Sequence, residues 1–218
     1  MKETYFIPQN LLTQATLMRS QAEAQAHRRG LPFTPVHSAL LVLDMQSYFL
    51  DPTSHAYIPS AAAILPGIKA LVHAYHRQRL PVVFTRHVNT LQDAGMMSVW
   101  WRDRISADSP LSQIDPELDV ADSPVILKSQ YDAFYNTSLE ATLRQAGVVR
   151  VLVSGVMAHL CCETTARSAF VRDFEVFYLV DGTAAYNPGF HQASLLSLAH
   201  GFASLLLTGE ALAALEAG

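Results

Sequence analysis

The sequence predicts an α/β fold: a single domain with a six-stranded, mostly parallel sheet and helices on both faces. Three observations carry this. Six short runs are almost uniformly apolar and rich in β-branched residues, as strands covered on both faces are. Segments with helical periodicity separate those runs. The chain has 218 residues, half of them hydrophobic, enough for one large core.

The elements follow in order. Residues 9 to 29 read as a helix ending at Gly30, with Arg28 and Arg29 in its last turn. Pro32 and Pro35 then make a short linker. Residues 1–36 are therefore expected to be a helical leader with no chemistry of its own, and residues 37–218 the domain proper. Ala39–Leu43 is the first strand. Ser60–Arg79 is a helix whose apolar positions Ala63, Ile64, Ile68, Leu71, Val72 and Tyr75 recur at helical spacing. Pro81–Thr85 is the second strand.

Residues 88 to 123 are irregular, rich in Asp, Ser and Pro, and carry Trp100 and Trp101. They are too long for an ordinary connection and read as a lid or a subunit contact. Val125–Leu127 is the third strand, and Ser138–Ala146 a helix ended by Gly147. Val149–Val153 is the fourth strand, and residues 161 to 172 form the next helix. Val176–Val180, a helix over His191–Leu198, the strand Ala203–Leu207 and a final helix of Ala, Leu and Glu complete the chain.

The bulk numbers exclude several functions. Net charge is −4, only 16% of residues are charged and no long basic run exists, so nucleic acid is not an expected partner. No apolar segment is long enough to span a bilayer, so no membrane partner is expected either. The residues after Met1-Lys2-Glu3-Thr4-Tyr5 contain no signal-peptide core. Two adjacent cysteines cannot build a disulfide framework, and a reducing cytoplasm is the expected location. Low charge with positive mean hydropathy points to a homo-oligomer, a dimer or tetramer.

In open α/β sheets, sites form at the carboxyl ends of strands. Three such ends carry reactive side chains: Asp44 after Leu40–Leu43, Lys128 after Val125–Leu127, and Cys161 beyond Val151–Val153. Each alone has a plain reading, as a helix cap, a solvated lysine or a buried thiol. Together they suit acyl transfer. A thiol near a helix start is expected to be shifted toward the thiolate, with Lys128 lowering its pKa further, and to attack a carbonyl carbon. Asp44 would move its proton to a leaving amine, and nearby backbone N–H groups would hold the oxyanion.

Three motifs in this order resemble the isochorismatase-like cysteine hydrolases: Leu43-Asp44-Met45-Gln46-Ser47-Tyr48-Phe49, Leu127-Lys128-Ser129-Gln130-Tyr131-Asp132-Ala133-Phe134, and Gly155 through Ala166. The resemblance covers about residues 37 to 209. It implies that fold, with Asp44, Lys128 and Cys161 as a catalytic triad. It also implies a cis peptide at Val156–Met157 and an oxyanion hole from the N–H groups of Met157 and Cys161. The family divides at the position six residues after the motif glycine, where cysteine hydrolases place their nucleophile and isochorismatases usually have Gly. This chain has Cys161 there, with Cys162 as a core partner. Yet Ala158-His159, Tyr131-x-Ala133-Phe134 and Ile7-Pro8-Gln9-Asn10 lean toward isochorismatases.

The relatives that bind a catalytic metal carry an Asp-x-His after the second strand, where this chain reads Thr85-Arg86-His87. His73 and His76 have no acid near them in sequence and the other histidines are scattered, so no metal and no cofactor is expected. Gln46, Phe49, Arg86, Tyr131, Phe134 and His159 are candidate substrate contacts. The expected function is metal-independent hydrolysis of a C–N bond in a small amide or carbamoyl substrate through a thioester on Cys161. The alternatives are an isochorismatase-type vinyl-ether hydrolase using Asp44 without covalent catalysis, and a non-catalytic binding subunit.

Overall fold

A computed structural model describes residues 1–26, 30–120 and 122–217. Six strands form one sheet: β1 Ser38–Leu43, β2 Val82–His87, β3 Val125–Lys128, β4 Arg150–Val156, β5 Glu175–Ala184 and β6 Ser204–Leu206. Their order is β3-β2-β1-β4-β5-β6, and every neighbouring pair is parallel. The chain winds outward from β1 in one direction, then returns to β4 and winds in the other. A crevice opens at the β1–β4 switch, beyond the carboxyl ends of the strands.

Eight α-helices accompany the sheet among the described residues: α1 Leu11–Glu23, α2 Ser47–Leu50, α3 Ala61–Arg77, α4 Met97–Trp100, α5 Leu139–Gln145, α6 Glu163–Phe170, α7 Pro188–Gly201 and α8 Thr208–Ala217. α3 packs with α8 across β1, β4 and β5, while α6 and α7 pack with α1 beside β5 and β6. β1 is buried at every position, as a strand covered on both faces must be. Tyr75, Tyr178, Phe6, Phe84 and Phe177 are the largest fully buried side chains of the continuous core.

Three expectations need revision. α1 stops at Glu23, well before Gly30. Its buried stripe is Ala15, Met18 and Ala22, and the following Gln25 and Ala26 make tight i→i−3 bonds. Arg28 and Arg29 lie outside the described residues. β3 is an edge strand, with Val125 and Leu127 exposed and Ile126 and Lys128 buried. β5 runs on to Ala184, past Asp181 and Gly182, because its register against β4 shifts between Val153 and Gly155 and pairing resumes beyond.

Candidate active site at the carboxyl edge of the sheet

Asp44 leaves β1 with φ of +51°, a left-handed conformation that Asp tolerates better than most residues. This turn directs the carboxylate toward β2 and β3. Thr85 on β2 holds it twice: Oγ1 accepts from the Asp44 N–H at 3.0 Å and donates to Oδ1 at 2.6 Å. Asp44 Oδ2 accepts no aligned hydrogen bond but lies 2.7 Å from the Lys128 ammonium at the end of β3. Lys128 Nζ also donates to the Gln130 carbonyl at 2.9 Å and reaches Cys161 Sγ at 3.3 Å. The three residues singled out by sequence thus meet around one ammonium.

Gly155 permits this approach. Its φ is +106°, and a Cβ there would lie 2.1 Å from the Leu43 carbonyl oxygen on the neighbouring strand. Only glycine lets β4 pass that close to β1 one residue before Asp44. Beyond β4 the Val156–Met157 peptide is cis. Residues Ala158–Cys162 then make one wide π-type turn, so Cys161 precedes α6 rather than opening it. The N–H groups of Leu160 and Cys162 donate to the Met157 carbonyl at 3.0 and 3.2 Å, and Tyr178 Oη donates to the Ala158 carbonyl at 2.9 Å. Cys162 points inward, wholly buried.

The electrostatics differ from the sequence expectation. Burial pushes the Cys161 thiol up to about 12, the Asp44 charge adds to that, and Lys128 opposes both without prevailing. The thiol is therefore protonated at rest. Burial works against the Lys128 ammonium too, but Asp44 and Cys161 outweigh it and its pKa is raised. His87 is pushed down to about 4, first by burial and then by Lys128. A neutral imidazole follows, with Nδ1 facing Lys128 Nζ at 3.4 Å and Nε2 bonded to Asn89 Oδ1 at 2.9 Å.

Asp44, His87 and Cys161 are the one group of potential metal-ligand side chains brought together among the described residues. The sequence view of scattered histidines missed this grouping. The donor set does not fit a metal, however. The Lys128 ammonium already sits against all three groups, Thr85 is spent on Asp44, and His87 Nε2 is spent on Asn89.

A narrow cavity of about 50 Å³ opens onto Cys161. Of the predicted substrate contacts, Phe49 and Tyr131 line it, as does Met157, expected in the oxyanion hole; Trp101 joins them by donating from Nε1 to Tyr131 Oη at 2.7 Å. Four candidates do not line it. Gln46 is fully buried and clamps the backbone, donating to the His87 and Ser112 carbonyls and accepting from the His87 N–H. Arg86 is spent on Ser112. Phe134 is core, stacked on Phe174 beneath the Arg172 guanidinium. His159 stacks on Phe190, ring centroids 4.5 Å apart, with burial lowering its pKa to about 4. Trp100 is exposed.

Sequence reasoning missed Tyr48, His55, Asn89, Asp103 and Tyr186 in the wall. Tyr186 follows the end of β5, so the strand-end rule would have found it had β5 been read to its full length. His55 and Asp103 give no signal in sequence; they meet only through a contact of 3.1 Å between His55 Nδ1 and Asp103 Oδ2 that joins the stretch after α2 to the long 88–123 segment.

Comparisons with known proteins agree with this geometry. The Isochorismatase domain family model matches residues 38–210. Nicotinamidase 3 of Arabidopsis thaliana is 38% identical over 78% of this chain and 84% of its own length. Enterobactin synthase component B of Escherichia coli K12 is 31% identical over 84% of this chain, which spans only 65% of that longer protein. The crystal structure of a cysteine hydrolase from Pseudomonas syringae pv. phaseolicola 1448A superposes with a TM-score of 0.83 at 27% identity, covering 88% of this chain and 99% of that one.

Proposed function

The chain belongs to the isochorismatase family of hydrolases, and on that premise we propose that it cleaves the C–N bond of a small amide or carbamoyl substrate through a thioester on Cys161. The observation that carries this is the single ammonium, Lys128 Nζ, within 2.7 Å of Asp44 and 3.3 Å of Cys161 Sγ, the one thiol among the described residues that line the cavity.

Cys161 Sγ attacks the substrate carbonyl carbon while Asp44 takes the thiol proton. A thiol held near 12 does not ionise ahead of substrate, so proton loss and attack are coupled. The tetrahedral oxyanion is held by the N–H groups of Met157 and Cys161. Collapse breaks the C–N bond, and Asp44 returns its proton to the departing amine. Asp44 then deprotonates water, which attacks the thioester, releases the acid and restores the thiol. Lys128 orients the Asp44 carboxylate through their 2.7 Å contact and balances charge on sulfur. No step is routed through a metal, because the donors around Asp44 are already committed.

The cavity wall is made of Tyr48, Phe49, Met97, Trp101, Tyr131 and Tyr186 with few polar groups. That suits a small, flat, largely apolar molecule. Residues 37–218 would be the catalytic domain and residues 1–36 its leader. A homo-oligomer in the cytoplasm is the setting this reading expects, checked by light scattering and fractionation. No described helix is long and apolar enough to cross a membrane.

A panel of primary amides and carbamoyl compounds, assayed for ammonia, tests the reaction. Mass spectrometry of a quenched turnover mixture tests for an acyl group on the Cys161 peptide. Turnover without that adduct, and undiminished in Cys161→Ala, would refute the covalent route.

The second reading, vinyl-ether cleavage through Asp44, draws on Ala158-His159 and on the 31% identity to enterobactin synthase component B. The cavity weighs against it. Isochorismate carries two carboxylates, whereas among the described residues no Arg or Lys lines the wall and Asp103 does. Pyruvate release from isochorismate would restore it.

A further inference from the structure

Two of the chain segments that line the cavity flank the leader. One, after β1, supplies Tyr48, Phe49, His55 and Ala56; the other, after β5, supplies Tyr186. The leader runs between them. Three successive residues beyond β5 are each held by it. Tyr5 Oη accepts from the Ala185 N–H at 2.8 Å, the Glu3 N–H donates to the Tyr186 carbonyl at 2.7 Å, and Asn187 Nδ2 donates to the Met1 carbonyl at 3.2 Å. On the opposite side, the N–H groups of Tyr5 and Phe6 both donate to Ser60 Oγ, at 3.0 and 3.1 Å. Ser60 is fully buried at the head of α3, and Phe6 is buried in the core.

Lys2 completes the bridge at the cavity itself. Its ammonium lies over the Tyr186 ring, 4.7 Å from the centroid, and donates to the His55 carbonyl. His55 in turn meets Tyr48 Oη at 3.3 Å and Asp103 at 3.1 Å. Holding His55 therefore also holds the long segment that carries Trp101 and Asp103 into the wall.

We infer that Lys2 is a positioning residue of the active site: by tying Tyr186 to His55 it sets the width of the opening through which substrate reaches Cys161, so that the leader is part of the entrance. The inference rests on this cavity being the site where Cys161 acts. A leader that only capped the fold would have no use for a cation spanning two wall residues. Its anchors, half-buried Tyr5 and buried Phe6, would suffice.

The test uses the full chain with Lys2→Met and Lys2→Arg. Met keeps the aliphatic stem and removes the charge and the donor. Arg keeps both and can lie over a ring. Two readouts are taken at fixed pH: the rate of alkylation of Cys161 by iodoacetamide, followed by mass spectrometry of its peptide, and KM and kcat on an amide that the unaltered protein hydrolyses.

Lys2→Met is expected to alkylate severalfold faster and to show a severalfold higher KM with kcat unchanged. Lys2→Arg should return both toward the starting values, and an unchanged melting temperature should show the fold intact. Lys2→Met with the original alkylation rate and KM would overturn the inference, as would Lys2→Arg behaving like Lys2→Met. If no amide is turned over, the proposed reaction fails, and the alkylation rates still decide the role of Lys2.

Discussion

The Lys128 ammonium lies 2.7 Å from Asp44 Oδ2, and neither side chain has any exposure to water. Removing one partner leaves the other as a lone buried charge. Lys128→Met should therefore cost about 3–5 kcal/mol of stability. The double variant Asp44→Asn/Lys128→Met should recover much of that loss, since no uncompensated charge remains. Denaturant unfolding of the four proteins measures the coupling, and strictly additive losses would contradict it.

The two adjacent cysteines should separate cleanly. Cys161→Ala is expected to lower kcat by about 10³-fold or more while the protein stays folded. Cys162 is wholly buried, its thiol 3.9 Å from the Ser154 carbonyl and away from the cavity wall. Cys162→Ala should keep kcat and lose roughly 1 kcal/mol of stability. Steady-state kinetics beside thermal melts distinguish the pair, and a Cys162→Ala enzyme as slow as Cys161→Ala would reverse the assignment.

Stability should fall on both sides of neutrality. Burial holds His87 and His159 near 4 and His191 near 3, all below the ordinary value of 6.5. Depressed imidazoles stabilise the fold fully above 6.5, and that contribution drains away as pH falls toward 4 and then 3. The Cys161 thiol, raised from 9.0 to about 12, acts in the opposite sense. The unfolded thiol ionises first, so stability declines as pH rises from about 9. Melting temperatures across this range should trace a plateau between two slopes. His191→Gln should shallow the acid slope, and a melting temperature constant from pH 6.5 to 4 would refute the assignment.

Two glycines with positive φ should respond differently to alanine. At Gly155 the new Cβ would meet the Leu43 carbonyl at 2.1 Å, with Leu43 N at 2.7 Å. That clash is with backbone, so a loss above about 3 kcal/mol or failure to fold is expected. Gly147 ends α5 with φ of +68° and nothing within 4 Å of the new atom, so conformational strain alone should cost about 1 kcal/mol. Comparable losses at both would show that the close approach of β4 to β1 is not the cause.

Much of this was legible in the chain. The apolar runs located all six strands: burial on both faces leaves a continuous apolar pattern in the central ones, and β3 is apolar at Val125 and Leu127 although these are exposed at the sheet edge. Asp44, Lys128 and Cys161 were legible because parallel strands deliver their carboxyl ends to one edge. What sequence could not supply was direction. Gln46, Arg86 and Phe134 sit in or near the motifs, yet Gln46 turns to the His87 and Ser112 carbonyls, Arg86 to Ser112 and Phe134 to Phe174. Tyr186 and His55 reach the wall only through folding of segments distant in sequence. The thiol pKa was misjudged because a short turn at the head of a helix is a weak field beside the desolvation of a wholly buried sulfur.

The crossover from β1 to β4 has one more consequence. Leu43 and Gly155 are direct partners in the sheet although most of two β–α units lies between them. The carboxylate and the thiol therefore cannot meet until the two wings of the sheet have joined. No autonomous fragment ending before β4 can retain turnover, and in a refolding experiment catalysis should return only with the last cooperative step. Recovered activity would thus serve as a clock for completion of the whole sheet rather than for local structure around the cysteine.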